Sequence, residues 1–463
     1  MPTDRFRARQ DSPKPSGYGY SLLIMAHHAC ARPTEAQGTL VRNQSGPADL
    51  SRCTARRKVN WRFRDDHNPQ ELNDANSARH ERPGLTLGQR PTALYSDRMA
   101  HITVGTLATS GREVPGTQGR PNHGLLSDRF GRVGTDLRIS LTDRCTLRCS
   151  YCMPLEGLDW LAGESLLTDD EMIRLITIAV CDLGVEQVRF TGGEPLLRKG
   201  MERILAATTA LRTASGVIPD TALTTNGVSL AQRAAALKAA GLHRINVSLD
   251  TLDRAKYARI ARRDRLSDVT AGLAAAAEAG LGPIKINTVL MRGVNDGEAV
   301  PLVRWALKRG YLPRFIEQMP LGPRDTWQRD SMITAADILA ALQAELTLVP
   351  APPGARGASP AETWIVSGAD APDGFVPTVG IIASVTRPFC ETCDRTRLTA
   401  DGKLRSCLFA RSETDLRSLL RGGASDTEIA ETWRGTMWAK QAAHGIDQAS
   451  FVQPERSMSS IGG

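Results

Sequence analysis

Six of the nine cysteines in this 463-residue chain fall into two tight groups. Cys145, Cys149 and Cys152 are four and three residues apart, and Cys390 and Cys393 form a CxxC pair followed by Cys407. Clustered thiols point to metal ligation, whereas disulfide cysteines of a secreted chain are more evenly spread. A closed zinc site asks for four protein ligands. The first group has no histidine to complete it, since the nearest is His123, upstream, and Glu156 is the closest downstream carboxylate. In the second group Asp394 could complete a zinc site, but a residue directly after a ligand usually points elsewhere. Three thiolates on a four-iron cube leave one iron without a protein ligand, free to hold a substrate or cofactor. Each triplet is therefore read as the cradle of a 4Fe–4S cluster with one open iron.

These groups must be positioned by regular elements. From about residue 135, strand-like runs alternate with helical ones. The strands are expected over Asp136–Leu141, Gln187–Thr191, Thr221–Thr225, Arg244–Ser248, Lys285–Leu290 and Leu312–Met319. The helices are expected over Thr168–Leu183, Gly200–Thr213, Ser229–Ala240, Leu266–Ala279, Asp296–Arg309 and Thr334–Ala344. Six βα units make an α/β parallel sheet, either an incomplete barrel or an open doubly wound sheet, and periodicity does not choose between them. In either case chemistry gathers at the carboxyl ends of the strands. The first triplet directly follows the first strand, and the Gly192-Gly193-Glu194-Pro195 turn directly follows the second. Ala351–Pro360 reads as a linker or exposed loop. Short strands, a turn at Ala400–Lys403 and two helices over 412–440 follow it.

The CxxxCxxC triplet after a first strand, together with the GGEP turn, resembles the radical S-adenosylmethionine (SAM) superfamily. That resemblance implies a partial (β/α)6 TIM-type barrel, with SAM chelating the open iron and its reductive cleavage giving a 5′-deoxyadenosyl radical. It also implies that Gly193 and Glu194 lie against the methionine amino group, that Tyr151 packs by the adenine, and that Ser248 and Met319 are further SAM neighbours. The segments RISLTDRCTLRCSYCMP and FCETCDRTRLTADGKLRSCLF and the terminal Ile461-Gly462-Gly463 resemble one family within it, the GTP 3′,8-cyclases of molybdenum cofactor biosynthesis. This likeness covers about residues 130–463. One departure is Asp394, where that family more often has Asn.

This narrower resemblance implies that the chain converts GTP to (8S)-3′,8-cyclo-7,8-dihydroguanosine 5′-triphosphate, a lyase step opening molybdenum cofactor biosynthesis. It implies two 4Fe–4S clusters, the second holding the guanine base, and a Gly462-Gly463 tail that enters the active site and assists catalysis. It further implies cyclic pyranopterin monophosphate synthase (MoaC) as downstream partner and a reductant protein, and it leaves a homodimer open. A triphosphate carries about four negative charges, so its site must collect cations. Arg138, Arg189 and Lys285 stand on expected strands, and Arg395 and Arg397, two residues apart, project to one side if extended. These five and Thr224 are the expected GTP contacts, with Arg395 and Arg397 also assisting catalysis.

Three regions are expected: an extension over 1–130, reading as disordered, a radical SAM barrel over 131–345, and a C-terminal cluster-binding domain over 346–463. Net charge is +8, of which +6 lies in residues 1–100. A basic arm for nucleic acid is one reading of that segment and a plain extension is the other; no nucleic-acid partner is expected. The apolar run Leu22–Met25 is far short of the roughly 18 residues of a membrane helix, so no membrane association and a cytoplasmic location are expected. Cys181 is expected in a helix core, and Cys30 and Cys53 lie in the extension. Two rivals are a peptide-modifying radical SAM maturase and a non-catalytic metal protein that binds nucleic acid.

Overall fold

The computed structural model describes residues 119–463 apart from 122, 123, 325, 353, 355, 447, 449, 450 and 463. The readings made for Cys30, Cys53, Gly463 and most of the extension lie outside the described residues.

Six strands, β1 (Asp136–Ser140), β2 (Gln187–Thr191), β3 (Asp220–Thr225), β4 (Arg244–Ser248), β5 (Ile284–Val289) and β6 (Leu312–Ile316), lie side by side in chain order, all parallel. Consecutive order is that of a barrel wall; a doubly wound sheet would reverse direction at its middle. Helices α1 (Asp169–Thr177), α2 (Met201–Ala210), α3 (Leu230–Ala239), α4 (Arg254–Ala261), α5 (Leu266–Glu278), α6 (Ala299–Leu307) and α7 (Ala335–Gln343) occupy the connections. Side chains alternate across each strand. Leu137, Ile139, Val188, Phe190, Leu223, Ile245, Val247 and Ile286 point outward and are almost fully buried in the helix-covered core. The residues between them face the lumen, and they are mostly polar.

Strand β6 stops three residues earlier than expected because Glu317 anchors the chain there. Its buried carboxylate accepts the N–H groups of Ala335, Val385 and Thr386. Helix α4 has only Tyr257, Ile260 and Ala261 as buried positions, too few for a periodic signal, and Asp253 caps it by accepting from Lys256 N.

Beyond residue 346 the chain extends the same sheet at both edges. Strands β7 (Thr347–Pro350) and β8 (Glu362–Ser367) form an antiparallel hairpin whose loop contains the Pro- and Gly-rich run. β9 (Thr378–Ile382) pairs with β8 and lies parallel to β6. On the opposite edge β10 (Arg395–Leu398) lies parallel to β1, followed by β11 (Lys403–Arg405) and β12 (Thr414–Asp415), both antiparallel. Helices α8 (Leu416–Arg421), α9 (Asp426–Trp438) and α10 (Met458–Ile461) complete the chain. Trp433 of α9 is fully buried and donates its indole N–H to Thr396 on the outer face of β10. No helix among the described residues is long and apolar enough to cross a membrane. Cys181 packs, partly buried, against the main core.

Candidate active site

The two triplets lie at opposite ends of the parallel strands. Cys145, Cys149 and Cys152 follow the carboxyl end of β1, while Cys390 and Cys393 precede the amino end of its neighbour β10. Cys407 returns to that same end because β11 runs antiparallel to β10. A five-residue strand at roughly 3.3 Å per residue separates the ends by roughly 16 Å.

The first three thiols line a cavity of about 200 Å³ shared with Tyr151, Gly193, Thr224, Ser248 and Met319. No histidine lines it. Burial pushes the Cys149 thiol well up, raises Cys145 and takes Cys152 to about 12. Bare thiolates would be costly there, so the donor set suits a cationic iron centre that displaces the protons. The amide of Asn226, not anticipated from sequence, lies 3.6 Å from Cys145 Sγ, and the Ser459 N–H faces Cys152. The glycine pair is there for close approach: a Cβ on Gly192 would sit 2.4 Å from Thr142 O, and one on Gly193 2.4 Å from Arg144 O.

Glu194 is not brought into the lining. It is fully buried, and its oxygens accept from Thr225 Oγ1, Leu196 N and Asn226 N at 2.7–3.0 Å. It thereby positions the turn that carries Asn226. Tyr151 donates its hydroxyl to Asp250 at 2.9 Å, which fixes the ring at the cavity edge.

The second triplet forms the wall between a small lumen cavity of about 60 Å³, bordered by Met319, Arg395 and Arg397, and an outer recess. His444 lies beside it, which sequence spacing did not reveal. Its Nδ1 accepts from Ile446 N at 3.1 Å, so its Nε2 carries the proton and faces Ser384 O at 3.1 Å. Both ring nitrogens are committed to backbone, and the donor set stays three thiols, as an open-iron cluster requires. Lys440, also missed, is buried; its ammonium donates to the carbonyls of Cys393 and Arg395 and lies 3.6 Å from Cys393 Sγ. Burial pushes the Cys393 thiol up, but Lys440, Arg395 and Arg397 carry it net down. The second triplet therefore sits in cationic surroundings and the first in apolar ones.

Between the ends, the lumen is lined by cations. Arg138 is in register with Arg189 on one side and Arg397 on the other, and Asp136 with Arg395. Lys285 pairs with Asn246, which shares the lumen face with Ser248. All five expected cations face the lumen, joined by two that were not anticipated, Arg244 on β4 and Arg314 on β6. Their signal was legible in retrospect: each is an even number of positions from a lumen-facing residue of its own strand. Thr224 lies higher on the same face and lines the first cavity.

Among the described residues, Asp136 offers its carboxylate to the β10–β1–β2 side, with Arg138, Arg189 and Arg395 at 3.5, 3.8 and 3.6 Å. Burial and neighbouring arginines lower Arg138 well below its ordinary value, Arg314 to about 9 and Lys285 to about 8. The buried Nε atoms of Arg138, Arg189, Arg244, Arg395 and Arg397 have no hydrogen-bond partner. Desolvated, mutually repelling cations with unused donors form a site for a polyanion.

The C-terminal tail threads into this lumen. Arg397 donates to Gly462 O, and a Cβ on Gly462 would sit 2.7 Å from Thr191 Cγ2 and 3.3 Å from Ser140 Cβ. Gly462 has φ of +72°, which only glycine takes without strain.

A barrel with a three-thiol loop after β1 and a glycine pair after β2 is the architecture of the radical SAM enzymes, and the radical SAM superfamily matches residues 139–306. Residues 313–446 match a molybdenum cofactor synthesis C-terminal family. The chain is 59% identical to a GTP 3′,8-cyclase of Mycobacterium sp. (strain KMS) over 346 residues, 74% of this chain and 95% of that protein. It is 57% identical to one from Streptomyces coelicolor over 73% of this chain and 96% of that one. The chain belongs to the GTP 3′,8-cyclase family. Among solved structures, Streptococcus suis SuiB bound to S-adenosylmethionine shares 13% identity and a TM-score of 0.41 over 71% of this chain and 76% of that one.

Proposed function

We propose that the lumen binds GTP with its triphosphate on the cations of β2, β4, β5 and β6 and its base toward the second triplet. The family's reaction joins C3′ of the GTP ribose to C8 of its guanine. The observation that carries this reading is the group of cations facing the lumen between the two triplets, five of which, on β1, β2, β4 and β10, have a buried Nε with no hydrogen-bond partner. Cys145, Cys149 and Cys152 would hold one 4Fe–4S cluster, and Cys390, Cys393 and Cys407 a second. SAM, bound at the first, supplies radical hydrogen abstraction.

The chain's own residues do the rest. Gly192 and Gly193 let the β2 turn press against the thiol loop, Tyr151, Ser248 and Met319 shape the SAM cavity, and the glycine tail lies against Arg397 and shields the lumen from water. Arg395 and Arg397 bind substrate and stand next to the reacting base. The product would pass to cyclic pyranopterin monophosphate synthase in the cytoplasm, and a reductant protein would supply electrons.

The test incubates anaerobically reconstituted protein with SAM, a strong reductant and GTP, and follows 5′-deoxyadenosine and the nucleotide by mass spectrometry. Deoxyadenosine formed with a product isomeric with GTP is expected from the wild type. Cys145→Ala should abolish deoxyadenosine. Cys407→Ala should retain SAM cleavage, lose about half the iron and give no cyclised product; an unchanged iron content would contradict the second cluster.

A further inference from the structure

We propose that Asp136 reads the guanine base: its unpartnered carboxylate oxygen accepts a hydrogen bond from the exocyclic 2-amino group, and so selects GTP over purine triphosphates that lack that amine. This rests on the lumen reading above and adds to it the residue that discriminates between bases.

Position comes first. Asp136 is in register with Arg395 on β10, and Arg395 follows Cys393 by two residues. It therefore faces the lumen on the side of the second triplet. Arg189, Arg244, Lys285 and Arg314 occupy the strands leading away from it. A nucleotide whose triphosphate lies on those cations extends its base toward β1 and β10.

Chemistry follows. Guanine carries donors at N1 and the 2-amino group, and a carboxylate is an acceptor with no donor to offer. Asp136 is 4% exposed, and its Oδ1 has no hydrogen-bond partner. Its Oδ2 faces the three guanidiniums at 3.5–3.8 Å, so one oxygen holds the carboxylate in place and the buried Oδ1 is left as a free acceptor. Burial alone would raise its pKa, but Arg138, Arg189, Arg395 and Arg397 hold it down at about 2, so it is an anion wherever the enzyme works. The other carboxylates nearby are paired or turned away from the lumen. Asp220 is paired with Arg244 and lies 3.5 Å from His243. Asp394 also has an unpartnered Oδ1, but it is out of step with the lumen-facing Arg395, and its Oδ2 accepts from Thr135 Oγ1 at 3.2 Å.

Anaerobic equilibrium dialysis of the reconstituted enzyme with GTP and with inosine 5′-triphosphate, which differs only in lacking the 2-amino group, tests this. A hydrogen bond to a charged acceptor predicts about 10- to 100-fold tighter binding of GTP by the wild type. D136N should narrow that ratio to near unity by weakening GTP more than inosine triphosphate. D136E keeps an anion among the arginines but moves it by one methylene, and should narrow the ratio with the fold intact. Equal loss for both nucleotides would mean that Asp136 only holds the arginines and would overturn the proposal, as would a wild-type preference in D136E. Arg189→Ala should weaken both nucleotides alike; if it weakens neither, the lumen reading fails, whatever the Asp136 variants do.

Discussion

At the scale of single residues, the clearest consequence concerns Lys285. Burial and the nearby Arg314, Arg244 and Arg189 lower it to about 8 from an ordinary 10.5. A group depressed in this way costs the free protein stability while it is protonated, and that cost fades as pH rises from about 8 toward 10.5. A bound triphosphate favours the protonated form, so GTP binding takes up a proton above pH 8. GTP affinity should therefore fall as pH rises through 8, by at most about tenfold per unit, and K285R should flatten the profile; titration calorimetry in two buffers of different ionisation enthalpy measures the proton directly. Lys440 makes a second case. Its ammonium is buried against Cys393 Sγ and two carbonyls, so Lys440→Met leaves those acceptors unpaired, at a cost of roughly 1–3 kcal/mol each. Iron should fall from about eight to about four per chain, counting four per cluster, with SAM cleavage retained.

At the scale of elements, close backbone approach decides function in two places. The β2 turn meets the thiol loop so tightly that a Cβ on Gly193 would lie 2.4 Å from the carbonyls of both Asp143 and Arg144. Backbone cannot yield as a flexible side chain can, so Gly193→Ala should shift the loop and reduce SAM cleavage at least tenfold, measured as deoxyadenosine per first-cluster iron. The tail is the other place. Gly462→Ala meets Thr191 and an unfavourable φ together; it should stop cyclisation while deoxyadenosine continues to form. Loss of both signals in equal measure would assign the tail to cluster integrity instead.

At the scale of the whole molecule, the C-terminal segment completes the barrel wall at both edges, through β9 on β6 and β10 on β1. Trp433 fastens α9 over β10 through a fully buried ring and its bond to Thr396. Trp433→Ala should cost about 3–5 kcal/mol. Because the strands share one sheet, unfolding should stay a single transition by circular dichroism and by fluorescence; a separate early transition would mean that the C-terminal strands fold on their own.

The sequence by itself determined the family's chemistry and most of the barrel's elements, though not α4 or the end of β6. Thiol spacing, the GGEP turn and six alternations of strand and helix are local patterns, and local patterns survive in a linear string. It also marked Arg138, Arg189, Lys285, Arg395 and Arg397, since each sits on or beside a strand legible from its own neighbours. What it could not carry was proximity between distant segments. That Asp136 lies beside Arg395, that His444 and Lys440 close around Cys390 and Cys393, and that Arg244 and Arg314 join the lumen are outcomes of strand order and register. Glu194 shows the same limit in reverse, because only packing revealed that its carboxylate accepts from Thr225 and from the Asn226 turn. Strand order arises from burying the outer apolar faces under helices, and that global condition alone decides which polar residues share the lumen.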